Sequence, residues 1–247
     1  MHNNNITKKP YLLLKNVVHV WYAYFSNNTN NLNYYLKLLS EDEIKKTSKF
    51  KFKTNQQQSI ISRGILRQLS SKYLNIKPES LSFKYGKYGK PEYDFDSKLK
   101  FNISHSGGLI VLGFVKDFDI GVDVEKVKND FDVLEIASNF FSALEIEALK
   151  KVPKEKQVEN FYRCWTRKES FVKAKSLGLS FALDSFSVCI NSNSKSKLLE
   201  TKWNEAEKHK WQLHPFTLQP DYKGAISILG NIKTVKYFNF NNYNFNS

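Results

Sequence analysis

The stretch Asp119-Ile-Gly-Val-Asp123-Val-Glu125 lies near the middle of the 247-residue chain and decides how the rest is interpreted. In an extended strand, successive side chains point to opposite faces, so its three branched apolar residues predict one buried face. Asp123 and Glu125 then share the other face. Two neighbouring carboxylates repel each other unless a cation neutralises them, and Mg²⁺ is a natural partner for such oxygen ligands. An exposed strand face with ordinary acidic residues is the alternative.

A second informative stretch, Phe161-Tyr-Arg-Cys-Trp165-Thr-Arg-Lys-Glu169-Ser-Phe-Val-Lys173, has the apolar period of a helix. Glu169 lies four residues after Trp165, on the packed face, so a third carboxylate can approach the pair on the strand. Lys173 is one further turn along. Either it forms an ordinary helical salt bridge with Glu169, or it contacts a phosphate while Glu169 meets a metal or a proton.

Two turns between these stretches and the N-terminus offer groups that suit phosphate oxygens. Asn102-Ile-Ser104-His105-Ser106-Gly-Gly108 combines hydroxyls, an imidazole and free backbone N–H groups at the end of a predicted strand. The loop from Tyr85 to Pro91 adds lysines and glycines. For each, the alternative is an ordinary solvated turn without a ligand, which is the commoner case for such a segment taken alone.

The charge of the chain is unusual, while its overall composition is typical of a globular protein. There are 38 Lys and Arg residues against 24 Asp and Glu, a formal net charge of +14. Up to Phe118 there are 19 basic and 8 acidic residues, so most of the excess lies in the first half. Such a balance attracts phosphates, nucleic acids, anionic membranes or acidic proteins. Cys164 and Cys189 indicate neither a zinc site nor a disulfide framework.

The order of predicted elements indicates an α+β fold made of two pseudo-symmetric halves, each a long helix packed on a small, mainly antiparallel sheet. Predicted strands and helices occur in a similar order in residues 1–118 and 119–230, although no clear sequence repeat relates them. The long helices are predicted at Ser59 to Leu74 and at about Lys154 to Leu177. Residues 231–247 form an Asn-rich and aromatic tail, which either docks as an added strand or stays loose.

Five motifs in a fixed order resemble the 4′-phosphopantetheinyl transferases, specifically the long two-half type that activates peptide and polyketide synthetases such as surfactin synthetase. The similarity runs from about Ser40 to Leu183. It rests on these segments: Gly-Lys-Pro at 89–91, Asn-Ile-Ser-His-Ser at 102–106, Gly-Val-Asp-Val-Glu at 121–125, Phe-Phe-Ser at 140–142 and Trp-Thr-Arg-Lys-Glu-Ser-Phe-Val-Lys at 165–173. The pattern Gly-x-Asp-x-Glu at 121–125, followed about 40 residues later by Trp-x-x-Lys-Glu-Ser-x-x-Lys at 165–173, is highly diagnostic of this family.

The resemblance implies a cleft between the halves that binds coenzyme A, and it assigns roles to individual residues. Asp123, Glu125 and Glu169 would hold Mg²⁺, with Glu169 also acting as the base and Lys173 neutralising the pyrophosphate. The residues implied to contact coenzyme A are Ser104 and His105 at the phosphates and Lys87, Lys90 and Pro91 at the adenine. The family often has an arginine for the 3′-phosphate before the first long helix, where this chain has Lys53-Thr-Asn-Gln-Gln-Gln58. Lys53 or Lys46 would replace it as a contact of weaker geometry.

The resemblance further implies transfer of the phosphopantetheine arm to a serine of an apo acyl or peptidyl carrier protein, with release of adenosine 3′,5′-bisphosphate. We expect a cytoplasmic monomer that binds neither nucleic acid nor membrane. The longest apolar run, Leu109 to Val115, is too short to span a bilayer.

A Mg²⁺-dependent nuclease of the D…(D/E)-x-K type is disfavoured because position 127 is Val. No known RNA-binding signature is present, and a family member that binds without catalysing is disfavoured by the complete set of acids and lysine.

Overall fold

The computed structural model describes residues 11–178, 180–191 and 196–243. The outer ends of the predicted first half and tail, residues 1–10 and 244–247, lie outside this range. The α+β class is confirmed, because the described chain runs twice through one order of elements: a strand, three helices and four strands. This is the duplicated unit that the sequence suggested without a detectable repeat.

The elements of the first repeat begin with a strand and end with a hairpin. They are β1 (Val17–Tyr24), α1 (Leu32–Leu38), α2 (Glu41–Ser48), α3 (Lys53–Leu74), β2 (Phe83–Tyr85), β3 (Pro91–Tyr93), β4 (Leu99–Ser106) and β5 (Leu109–Lys116). The second repeat contains β6 (Ile120–Lys126), α4 (Val133–Phe140), α5 (Ala143–Lys150), α6 (Lys154–Lys175), β7 (Phe186–Val188), β8 (Leu198–Thr201), β9 (Trp211–Phe216) and β10 (Tyr222–Leu229). A last strand, β11 (Thr234–Asn239), follows.

The sheets show the same duplication. The first has the strand order β11-β1-β5-β4 and the second β6-β10-β9, and β2-β3 and β7-β8 form two small hairpins. Each neighbouring pair is antiparallel except β1 and β11, which are parallel. The tail therefore docks as an added strand, and it does so on the first repeat.

The two sheets pack against each other, and each is covered by its long helix on its other face. Val18 and Val20 of β1 belong to the same buried cluster as Val122 and Val124 of β6. The other faces form separate cores with α3 and with α6. The predicted buried face of β6 is confirmed, because its residues at 120, 122 and 124 are at most 1% exposed. The face of β6 that carries Asp123 and Glu125 consequently points towards α6.

The long helices begin and end for identifiable reasons. α3 starts at Lys53, six residues before the predicted start, because the Gln-rich segment has good helix propensity but no apolar period to reveal it. α6 starts at Lys154 and ends at Lys175, close to the prediction. Both helices end at a residue in the left-handed conformation, Asn75 with φ 55° and Ser176 with φ 56°. Among the described residues, no helix has the length and apolar character needed to cross a membrane.

Candidate active site

β6 and α6 approach each other closely because position 121 has no side chain. A Cβ at Gly121 would lie 1.9 Å from the carbonyl oxygen of Ser170 and 2.4 Å from the backbone nitrogen of Ala174. Any other residue would push the strand away from the helix. Gly121 therefore allows the carboxylates of β6 to face the side chains of α6.

A ladder of side chains from β4 fixes β6 on its other edge. Asn102 Oδ1 accepts a hydrogen bond from the backbone N–H of Val122 at 2.8 Å. Two residues further, the Ser104 hydroxyl accepts from the N–H of Val124 at 3.4 Å, and the Ser106 hydroxyl accepts from the next alternate N–H at 3.1 Å. The N–H groups at the open edge of the second sheet are thus satisfied by side chains instead of by another strand.

The same two hydroxyls also orient the acids. Ser104 donates to Asp123 Oδ1 at 3.1 Å, and Ser106 donates to Glu125 Oε2 at 2.6 Å. The structure therefore uses Ser104, which the resemblance assigned to a coenzyme A phosphate, to hold Asp123. The sequence predicted Ser106 only as one hydroxyl of a phosphate-binding turn and gave Asn102 no separate role, although polar residues at every second position of an apolar strand were a readable signal.

Lys173 reaches across from α6 and pairs with Asp123. Its ammonium lies 2.6 Å from Asp123 Oδ1 and 3.1 Å from the Ser104 hydroxyl. Among the described residues no ion pair joins it to Glu169, so the simple helical salt bridge is not formed. The Asp123 side chain is buried, whereas that of Lys173 is 30% exposed, which leaves the ammonium accessible to a ligand.

The three carboxylates lie close enough to affect one another electrostatically. Desolvation, and then the charge of Asp123, raise the pKa of Glu169. Desolvation also raises the pKa of Glu125, and Asp123 raises it further while the Ser106 hydrogen bond opposes the shift. Carboxyl groups with raised pKa values are better proton acceptors than ordinary ones, and they are stabilised by any added cation.

Two carboxylate oxygens of the site are available to a cation. Asp123 Oδ2 and Glu169 Oε1 are buried, and neither has a hydrogen-bond partner in the described structure. Hard oxygen donors of this kind fit Mg²⁺. Within residues 11–178, 180–191 and 196–243, however, no three His, Cys, Asp or Glu side chains are gathered as a ready metal site. The chemistry of the donors fits the ion, and Mg²⁺ binding stays a prediction.

A cavity of about 380 Å³ opens beside these residues, between the two repeats. The first repeat contributes the loop from Tyr88 to Pro91 together with Asn102 and Ile103, and the second contributes Glu169, Val172, Lys173, Ser176 and Gly178. The site thus lies between the halves, as expected. Another cavity, of about 400 Å³, is also lined by Lys90, but none of the three carboxylates of the site lines it.

Lys90 joins the two repeats. Its ammonium donates to the carbonyl oxygens of Ile120 at 3.1 Å and Ala174 at 3.3 Å, at the start of β6 and in the last turn of α6. These contacts differ from the predicted contact with adenine, since the charged end of Lys90 is occupied by the backbone of the second repeat. Pro91 does line the cavity. The exposed Lys87 is not among the lining residues but directly precedes Tyr88, which is one of them.

The remaining predicted contacts lie outside the lining of this cavity. His105 lies on β4, and desolvation followed by the Lys173 charge lowers the pKa of its imidazole. Lys53 is exposed at the start of α3. Lys46 lies on α2, where its ammonium stands over the ring of Tyr85. The structure therefore brings together the acids, Ser104, Lys173, Lys90 and Pro91, whereas Lys46 and Lys53 lie on other elements, α2 and α3.

Comparison with known proteins identifies the family. Residues 119–227 match the family described as the 4′-phosphopantetheinyl transferase superfamily, and residues 24–115 match the family described as 4′-phosphopantetheinyl transferase, N-terminal. The chain is 31% identical to the 4′-phosphopantetheinyl transferase HetI of Nostoc sp. over 197 residues, which cover 78% of this chain and 83% of HetI. It is 33% identical to the 4′-phosphopantetheinyl transferase Sfp of Bacillus subtilis over 193 residues, again 78% of this chain and 83% of that protein. The chain therefore belongs to the 4′-phosphopantetheinyl transferase family of enzymes.

Proposed function

We propose that this enzyme transfers the 4′-phosphopantetheine arm of coenzyme A to a serine of an apo acyl or peptidyl carrier protein. The reaction would depend on Mg²⁺ and release adenosine 3′,5′-bisphosphate. The main support is the arrangement of Asp123, Glu125, Glu169 and Lys173 on facing elements beside the cavity between the repeats. Membership of the family supports the reaction type.

In this reaction a serine hydroxyl attacks the pyrophosphate of coenzyme A and displaces the nucleotide as the leaving group. The serine oxygen forms a bond to the phosphorus that carries the pantetheine arm, and the bond from that phosphorus to the leaving nucleotide phosphate breaks. Such a reaction requires neutralisation of the phosphate oxygens, in-line positioning and a place for the serine proton. When bound, Mg²⁺ would supply most of the neutralising charge.

The residues of this chain divide the remaining tasks. Asp123 and Glu125 present carboxylates towards the cation, held in place by the hydroxyls of β4. Lys173 is the partly exposed ammonium that can contact a pyrophosphate oxygen. Glu169 takes the serine proton, a role for which its desolvated carboxylate with a raised pKa is suited.

The positive charge of the protein favours an acidic carrier as the partner. We propose a carrier of fatty acid, polyketide or nonribosomal peptide synthesis, and a monomeric enzyme acting in the cytoplasm without nucleic acid or membrane.

Mass spectrometry of carrier proteins tests the proposal directly. The enzyme is incubated with coenzyme A, Mg²⁺ and a panel of apo carriers from the three kinds of pathway. We expect at least one carrier to gain about 340 Da, the mass of the transferred arm. If folded enzyme gives no gain with any carrier, the chain binds without catalysing and the proposed function is wrong.

A further inference from the structure

A small cavity with basic side chains in its walls lies between α6 and the hairpin of β9 and β10. Its volume is about 170 Å³. Arg163, Thr166 and Arg167 line it from α6, and the hairpin contributes Phe216, Lys223 and Gly224 among others. None of its lining residues lines the cavity between the repeats, so it is separate from the candidate active site.

The basic residues of α6 lie on the face of the helix that packs on β10. Arg163, Thr166 and Arg167 share one face because they are three and four residues apart. Ser170, one turn beyond Thr166 and Arg167, forms a buried hydrogen bond of 2.8 Å with Ser227 of β10. The two arginines are therefore enclosed between the helix and the second sheet and are not spread over the outer surface.

The three cations of the cavity are largely buried. The side chain of Arg167 is fully buried, and those of Arg163 and Lys223 are only 18% and 15% exposed. Burial lowers the pKa of the Arg167 guanidinium to about 10; Cys189 and Cys164 oppose the shift, and the charge of Arg163 adds to it. Like charges held together away from water are unfavourable, and an anion beside them would offset this cost.

The carboxylate of Glu159 offsets part of the positive charge. Its Oε1 accepts a hydrogen bond from Arg163 Nη2 at 2.8 Å and lies 3.1 Å from Lys223 Nζ, so two cations share one oxygen. Arg163 Nε is buried and has no hydrogen-bond acceptor among the described residues. A buried guanidinium N–H without an acceptor is costly. An anion in the cavity that Arg163 lines would supply this acceptor.

The size and the walls of the cavity restrict the ligand to a small one. Gly224 is paired with Phe216, and a Cβ at Gly224 would lie 2.3 Å from atoms of the Phe216 ring, so the ring packs directly on the strand backbone. The volume of about 170 Å³ is well below the roughly 300–1,000 Å³ of pockets that hold drug-sized molecules. Inorganic phosphate is small, negatively charged at neutral pH and able to accept several hydrogen bonds, as two guanidinium groups and an ammonium require.

We propose that this cavity binds a phosphate ion between Arg163, Arg167 and Lys223, and that the bound ion stabilises the packing of α6 on the hairpin of β9 and β10. Arg167 is already held in place, because its Nη1 donates a hydrogen bond to the carbonyl oxygen of Cys189. A ligand that binds the folded chain and not the unfolded chain raises the free energy of unfolding. Phosphate should therefore make the protein more stable.

Calorimetric titration with inorganic phosphate at constant ionic strength tests the site. We expect saturable binding by the wild type, and at least about tenfold weaker binding by Arg163→Gln and by Lys223→Gln, the size of one charge-assisted hydrogen bond. Each of these variants leaves the other cation paired with Glu159. Lys156→Gln is the matched control, because Lys156 is an exposed cation of α6 outside the cavity lining and its loss should leave binding unchanged.

Thermal unfolding gives a second measurement on the same proteins. Phosphate should raise the unfolding midpoint of the wild type and of Lys156→Gln more than that of the two cavity variants, again at constant ionic strength. O-phosphoserine, whose phosphate is attached to a larger group, should bind the wild type more weakly than the free ion. Equal or tighter binding of O-phosphoserine would assign the cavity to a phosphorylated partner and overturn the proposal.

Lys173→Met detects phosphate that binds beside the catalytic acids instead. Loss of binding in this variant, with unchanged binding in Arg163→Gln, would place the ion in the active site and contradict the proposal. Absence of saturable binding by the wild type, or equal binding by the wild type and both cavity variants, would also overturn it. Circular dichroism confirms that each variant compared is folded.

Discussion

The two repeats share one topology but use their first strands, β1 and β6, differently. Tyr24 of β1 pairs with Leu109, the first residue of β5, just as Lys126 of β6 pairs with Tyr222, the first residue of β10. Counting back from these pairs, Trp21 and Ala23 occupy the places of Asp123 and Glu125. Trp21 is fully buried and donates to the Tyr73 hydroxyl of α3. The first repeat thus fills with an aromatic core the space in which the second repeat keeps its carboxylates.

A buried ion pair, in contrast, is common to both repeats. The fifteenth residue of each long helix is a buried cation, Arg67 in α3 and Lys168 in α6, paired with the capping-box glutamate of the preceding helix, Glu43 or Glu145. Each cation also donates to two backbone carbonyls of the segment after its helix. The ion pair common to both repeats and the acids of the candidate site therefore depend on different residues. In α6 these are neighbours, because Lys168 of the ion pair directly precedes Glu169 of the site.

The edge of β1 that faces away from β5 and the edge of β6 that faces away from β10 are also covered differently. The parallel tail strand β11 covers β1, and its Phe238 stacks on Trp21 with ring centres 4.7 Å apart. β6 is covered by the side chains of β4. A neighbouring strand would hide the edge of β6, whereas short hydroxyl side chains hold it and remain free to orient carboxylates. The site therefore lies at the strand edge that side-chain contacts cover, and not at the edge covered by a paired strand.

The largest expected effect is at the sixteenth residue of the long helices, Glu169 in α6 and Gln68 in α3. Glu169→Gln should lower kcat by about 10²–10⁴-fold, the usual contribution of a general base, with most coenzyme A binding retained. Gln68→Met should change kcat little, because Gln68 contacts Tyr34 and not the site. Single-turnover assays on carrier protein measure both. Full turnover by Glu169→Gln would assign Glu169 to structure only.

The buried ion pairs should be equally important for stability in both repeats. Lys168→Met and Arg67→Met each leave a buried glutamate without its partner, which costs about 3–5 kcal/mol of unfolding free energy. Urea denaturation monitored by tryptophan fluorescence measures the loss. A loss confined to one repeat would show that the two pairs are not equivalent.

The twentieth residue is a lysine in both helices, Lys173 in α6 and Lys72 in α3, but only Lys173 reaches a carboxylate of the site. Lys173→Met should lower kcat/KM by about 10²-fold, comparable to the loss of one preorganised donor to a developing charge. Lys72→Met should leave it unchanged. Equal effects of the two substitutions would mean that overall charge, and not position, is responsible.

A smaller effect concerns His19, which takes the place in β1 that Gly121 has in β6. Burial, and then the charge of Lys236, lower the pKa of His19 to about 4. Between this value and the ordinary 6.5, the unfolded chain binds a proton that the folded chain excludes, so stability falls as the pH falls. Wild-type protein should lose about 3 kcal/mol from this group between pH 7 and pH 4.

His19→Asn removes the titrating group and should have a flatter stability profile over the same interval. Denaturant unfolding at a series of pH values gives the comparison. Parallel profiles for the wild type and the variant would exclude His19 as the source.

The sequence predicted those features that depend on local patterns. Alternation in β6, the glycine turn between β4 and β5 and the apolar period of α6 each have a short-range cause and were confirmed. The start of α3 at Lys53 was missed because its Gln-rich first turns have no apolar stripe.

The parts of the site that escaped prediction depend on distant partners. Ser104 and Ser106 contact a strand some twenty residues away, and Lys90 bonds to Ala174, which is 84 residues away. A motif shows which residue types occur together but not which atoms they meet. The motifs therefore predicted that the carboxylates lie together, but not that Lys90 donates to the backbone of the second repeat or that Ser104 donates to Asp123. Contacts of these two residues with coenzyme A stay predictions.

The central claim is that the second repeat binds the catalytic cation at its acids while the first repeat presents the co-substrate. Crystals of the protein grown with coenzyme A and Mn²⁺, a substitute for Mg²⁺ with anomalous scattering, test it most directly. The account predicts an anomalous peak within ligand distance of carboxylate oxygens of Asp123, Glu125 and Glu169, next to the pyrophosphate. A peak at other residues, or coenzyme A bound there without any peak, would contradict it.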